Sequence, residues 1–159
     1  MDSLKVMLAA LFVFAAACGC PSSELGTLRT QKYTSERDAA CAAVEGCEAD
    51  FMASVKVVEV TSVEEIQRVC EQPNADACYC LGEDGCQTVF LRDYGPGYSD
   101  SNALHEMVHA ALDSVGKGSD HGPEFQAALV RATENYCAGS AHKSEYTCTQ
   151  LKKGKIVGS

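Results

Sequence analysis

The sequence predicts a single α+β domain, exported and stapled by disulfides. Three observations lead there. Two short β-branched runs, VKVVEV and QTVFLRDY, alternate with helix-type stretches, eight cysteines follow residue 40, and the chain opens on an apolar leader. At 159 residues the chain has material for one domain with a real core.

The leader spans residues 1–17: one lysine, Lys5, then an unbroken small-to-apolar run from Val6 to Ala17. That run is too short to cross a bilayer and has the composition of a signal-peptide core. Ala15, Ala16 and Ala17 lead into Cys18. This arrangement resembles the lipobox of bacterial lipoproteins, in which the cysteine becomes the lipid-carrying first residue. Cys20 is the alternative site. The resemblance implies an exported protein held on a bacterial membrane by a lipid anchor, facing the periplasm or the cell exterior. Residues 18–33 are small and polar, the composition of a tether. The domain then occupies 34–150, and 151–159 form a basic tail with Lys152, Lys153 and Lys155.

Within the domain, the alanine-rich stretch from Thr34 to Val44 reads as a helix that Gly46 ends. VKVVEV, 55–60, reads as a strand. Thr61 and Ser62 ahead of VEEIQRVC cap a helix over 62–70, with glutamates in its first turn. EQPNADACYCLGEDGC is turn-rich and reads as a disulfide-pinned loop or hairpin. QTVFLRDY, 87–94, is a second strand closed by Gly95, Pro96 and Gly97. Ser99, Asp100 or Ser101 can cap a helix over about 101–115, ended by Gly116 and Gly118. A last helix starts near Asp120 to Pro123, with proline in its first turn, and runs through EFQAALVRATENYC.

The eight cysteines of the domain are Cys41, Cys47, Cys70, Cys78, Cys80, Cys86, Cys137 and Cys148. Their even number fits disulfides in an oxidising compartment, and the sequence does not assign the partners. The competing reading, thiolate ligation of zinc by Cys78, Cys80 and Cys86, conflicts with that compartment and with the usual spacing of structural zinc sites. The net charge of -9 argues against nucleic acid as a partner.

Three of the four histidines fall in ALHEMVHAALDSVGKGSDHGPEF, residues 103–125. His105 and His109 are four apart on a helix and share a face, so their imidazoles can converge on one ion. Glu106 sits between them in His-Glu-x-x-His, the pattern of zinc peptidases. Neutral imidazoles hold Zn²⁺ without consuming its charge, and a nearby carboxylate takes the proton of a water that the cation acidifies. For a third ligand His121 is preferred, with Asp120, Glu124 and Glu134 as substitutes. Asp113 is better suited to orienting a histidine N–H, or to being a plain surface aspartate. Tyr94, Tyr98, Arg131 and His142 are candidates to stabilise an oxyanion.

His-Glu-Met-Val-His-Ala-Ala-Leu followed by His-Gly-Pro-Glu-Phe resembles the catalytic core of SprT-like zinc metallopeptidases, over roughly residues 85–135. The resemblance implies one zinc per chain on His105, His109 and His121, with Glu106 as general base. It also implies a zincin-like fold with a small mixed β-sheet, here stapled by the disulfides that the cysteine count predicts, and a peptide or protein substrate. QTVFLRDY is then expected at the sheet edge, where an extended substrate pairs. The chain departs from family members that act on DNA-bound proteins, because it is acidic and has no part left for a nucleic-acid-binding module. The alternative is a catalytically silent metal-binding or interaction lipoprotein on the same scaffold.

Overall fold

A computed structural model describes residues 26–82, 86–94, 98–118, 120–139, 141 and 146–152. The leader, Cys18 and Cys20, the turn at 95–97, His142 and the tail beyond 152 lie outside the described residues.

In chain order the elements are β1 (Thr27–Leu28), a 3₁₀ turn (Thr30–Tyr33), α1 (Thr34–Ala43), α2 (Ala49–Ser54), β2 (Lys56–Val60), α3 (Val63–Cys70), β3 (Ala77–Leu81), β4 (Gln87–Arg92), α4 (Tyr98–Asp113), α5 (Pro123–Ala138) and α6 (Tyr146–Lys152). The molecule is thus mixed α+β, with a four-stranded mixed sheet in the order β1-β2-β4-β3. β2 and β4 are parallel, while β1 and β3 pair antiparallel to β2 and β4 respectively.

Both faces of the sheet are covered, which is why VKVVEV reads as a continuous apolar run rather than an alternation. Val57, Val89 and Leu91 face the main core with α1, α4 and α5, and Val58, Val60 and Phe90 pack with Ile66 on the opposite side. The face of α1 toward the core is alanine at 39, 40 and 43, all buried, so α4 and α5 approach it closely. Arg131 Nε donates to the Ala43 carbonyl at 2.9 Å and so satisfies an orphan group at the end of α1. That task removes Arg131 from the oxyanion candidates. At α3 the expected cap is present: the Ser62 hydroxyl accepts from the Glu65 N–H at 3.1 Å.

Three sequence expectations change. QTVFLRDY is not an edge strand: β4 lies inside the sheet, between β2 and β3, and the edge on that side is the ACYCL strand β3. The hairpin geometry explains this, since ACYCL folds back onto β4 and covers the side that an incoming peptide would need. Residues 27–33, expected as the end of a tether, belong to the domain. Tyr33 is fully buried and donates to Glu59 Oε1 at 2.5 Å, and Lys32 and Arg29 bridge the same carboxylate at 2.5 and 3.4 Å. A buried carboxylate on β2 needs such partners, and this short segment supplies them. Finally, α4 starts at Tyr98, ahead of the three expected caps, and the Ser99 hydroxyl accepts the Tyr94 N–H instead.

Disulfides join Cys41 to Cys47, Cys70 to Cys78 and Cys137 to Cys148, and Cys80 and Cys86 are disulfide-bonded too. Oxidised sulfur offers no thiolate for zinc, and this density of bridges fits an oxidising, extracytoplasmic compartment. No helix among the described residues is long and apolar enough to cross a membrane.

Candidate metal centre

α4 carries His105, Glu106 and His109 on neighbouring parts of one surface, while the following turn brings back His121. Gly116 and Gly118 have φ of +70° and +75°, the left-handed region that lets the chain leave α4 and reverse. Asp120 Oδ1 then accepts the Gly122 N–H at 3.2 Å, closing a tight turn around His121. Gly122 flanks α5 as its N-cap, with Pro123 at the first helical position.

The three Nε2 atoms converge. His105 and His121 are 3.0 Å apart, His109 and His121 3.2 Å, and His109 and His105 3.3 Å. Three ring nitrogens at such distances cannot all satisfy one another, because each N–H serves a single acceptor. A shared cation would receive all three lone pairs, and the separations approach the edge of about 3.3 Å of a tetrahedron with metal–nitrogen bonds of about 2.05 Å. Among the described residues no cysteine, aspartate or glutamate joins this set. The donor set of three imidazoles fits a zinc-type ion with an open position. His109 is buried and His121 exposed, so the centre opens to solvent on the His121 side.

Burial, reinforced by the charges that His105 and His121 would carry, pulls the His109 imidazole down to about 3. Its lone pair is therefore free for a metal at neutral pH. Glu106 is 8 % exposed, with Oε1 4.0 Å from His105 Nε2. Burial pushes its carboxyl up to about 8, and the Tyr79 backbone N–H, which donates to it, offsets part of that rise.

Two aromatic residues complete the site. Phe125, the last residue of His-Gly-Pro-Glu-Phe, is 1 % exposed and lies beneath all three imidazoles. Its ring centroid is 4.2 Å from His109, in a stacked arrangement, and 4.8 Å from both His105 and His121. His109 Nδ1 has no hydrogen-bond partner among the described residues, so packing on Phe125 orients the ring where a carboxylate commonly would. Tyr79 on β3 grips α4 at two points: its N–H meets Glu106, and its hydroxyl donates to Asp113 Oδ2 at 3.0 Å. Burial and the Asp113 carboxylate raise that hydroxyl's pKa above its ordinary value. Asp113 thus serves Tyr79 and not a histidine, because β3 runs along α4 and reaches it first.

The cleft beside the histidines is walled by residues 72 and 74–79 on one side and by Asn102, His105, Glu106, His109 and His121 on the other. Tyr94 and Tyr98 line a separate recess that shares Asp76 with this cleft. The sequence signalled Phe125 only as part of a motif and gave no signal for Tyr79. Comparison with family models, curated proteins and solved structures finds no match to the chain.

Proposed function

We propose that this chain is a zinc-dependent peptidase of the SprT-like, zincin type, exported and held on a bacterial membrane through a lipid on Cys18 or Cys20. The convergence of three imidazole nitrogens within 3.3 Å, beside a buried glutamate, is the observation that carries the reading. His105, His109 and His121 would hold the ion. Zinc in such a site supplies Lewis acidity, which polarises a carbonyl and lowers the pKa of a water toward about 7.

Glu106 accepts the water's proton and returns it to the leaving amine. Burial raises the Glu106 carboxyl, and the positive charge that a bound zinc would place beside it would draw it back down, toward a range where it both takes and gives a proton. The Tyr79 N–H holds the carboxylate in place during it. Substrate binding falls to β3. Arg92 N–H bonds to the Asp76 carbonyl and Gly82 N–H to the Cys86 carbonyl, so alternate residues 76, 78, 80 and 82 direct their backbone groups at β4. Ala77, Tyr79 and Leu81 then face the free edge; the Tyr79 N–H is taken by Glu106, so its carbonyl and the backbone groups of Ala77 and Leu81 are what an extended polypeptide would pair with beside His105 and Glu106.

The test is cleavage of a denatured protein by the zinc-loaded mature chain. Glu106→Gln is expected to lower the rate by about 10²–10⁴-fold while keeping the metal. Zinc-loaded wild type that cleaves no peptide bond would favour a silent metal-binding lipoprotein.

A further inference from the structure

Outside the metal cleft, three exposed tyrosines among the described residues form a row. Tyr94, Tyr98 and Tyr146 are 41 %, 46 % and 43 % exposed. Tyr94 meets Tyr98 edge-on with centroids 5.5 Å apart, and Tyr98 stacks on Tyr146 at 5.6 Å. Side-chain contacts hold one end of the row: Arg92 lies over the Tyr94 ring at 4.2 Å, and the Tyr94 hydroxyl is hydrogen-bonded to Asp76 and Arg92. The rings are thus presented together and at low entropic cost to a ligand.

The position of the row gives it a ligand. Asp76 immediately precedes β3 and borders both the recess of Tyr94 and Tyr98 and the metal cleft, so the two surfaces are continuous. Along β3, Asp76 stands three residues from Tyr79, whose N–H touches Glu106. At about 3.3 Å per residue that is about 10 Å of extended chain. A polypeptide paired with the β3 edge and running off its N-terminal end arrives on the tyrosines. Tyrosine faces and edges favour another aromatic ring, in offset or T-shaped contact. A nucleic-acid ligand would need flanking positive charge, which a chain of net charge -9 does not offer.

Resting on the peptidase reading above, we infer that Tyr94, Tyr98 and Tyr146 form a substrate subsite that takes an aromatic side chain about three residues from the cleaved bond. Selectivity for polypeptides with an aromatic residue there follows from the fold.

Binding can be measured without turnover in zinc-loaded Glu106→Gln protein. The chain contains no tryptophan, so energy transfer from its tyrosines to a tryptophan-bearing peptide reports the complex, and a peptide with alanine at that one position competes. The tryptophan peptide is expected to bind about tenfold tighter than its alanine counterpart. Adding Tyr98→Ser or Tyr146→Ser should bring that ratio close to one, with zinc content and melting temperature confirming an intact fold. Equal binding of the two peptides, a preference that survives both substitutions, or binding of a soluble oligosaccharide in their place would overturn the subsite. Preference without any cleavage by wild type would keep the subsite and refute the peptidase; cleavage without preference would do the reverse.

Discussion

Phe125→Leu separates the floor of the metal centre from the general core. The ring is 1 % exposed and touches all three imidazoles, stacking on His109 at 4.2 Å, and His109 Nδ1 has no hydrogen bond among the described residues to orient it otherwise. Leucine keeps the burial and removes the flat face. As a near volume-conserving swap it costs about 1–1.5 kcal/mol of stability. Over a domain of about 125 residues that lowers the melting temperature by about 4–6 °C. The metal should suffer more, because each imidazole then samples orientations that miss the shared ion. Loss of an orienting partner lowers metal affinity by about 10–100-fold. Competition with a chromophoric chelator, beside melting of the metal-free protein, measures both. A variant with lowered melting temperature and wild-type zinc affinity would show that Phe125 is only core, and would refute packing as the source of orientation.

Further outcomes follow from the same contacts. Removing the Cys70–Cys78 bridge by paired serine substitution should cost about 2.5 kcal/mol by loop-closure entropy. It also frees the wall at 72–77, so peptide cleavage should fall more than zinc content; equal retention of both would contradict the wall's role. Tyr33 and Tyr79 are both raised above the ordinary tyrosine range in the folded state. Their stabilisation is therefore whole below about pH 10 and declines as pH rises beyond it, by at most about 1.4 kcal/mol per pH unit each. Solvent screening trims the share of the partly exposed Tyr79. Tyr79→Phe should flatten the decline in urea midpoint between pH 10 and 11, and an unchanged slope would count against the raised Tyr79 hydroxyl that burial and Asp113 produce. Gly26→Val should loosen β1, because a Cβ there runs into the Glu59 carbonyl oxygen; faster hydrogen exchange at Arg29, whose N–H bonds to the Val57 carbonyl, reports it.

What the sequence made legible was local. The Ser62 cap and the limits of α1, β2, α3 and α5 depend on neighbours within a few residues, and each lies within about two residues of its expected place. The histidines of α4 were legible for the same reason, since a spacing of four fixes their common face. ACYCL was open between loop and hairpin because its strand character comes from pairing with β4 and from the Cys70–Cys78 bridge. β1 is two residues long and α2 six, too short for any periodicity. Tyr79 was out of reach because its partners, Glu106 and Asp113, lie far along the chain, and only the packing of β3 on α4 joins them.

The central claim is that His105, His109 and His121 hold one metal ion beside Glu106. Zinc stoichiometry and affinity of the oxidised mature chain test it most directly, in wild type, His121→Ala and Glu106→Gln. One zinc per chain, weakened in His121→Ala and retained in Glu106→Gln, is the predicted result. A wild type that binds no stoichiometric zinc, or a His121→Ala variant that binds it equally well, would contradict the claim.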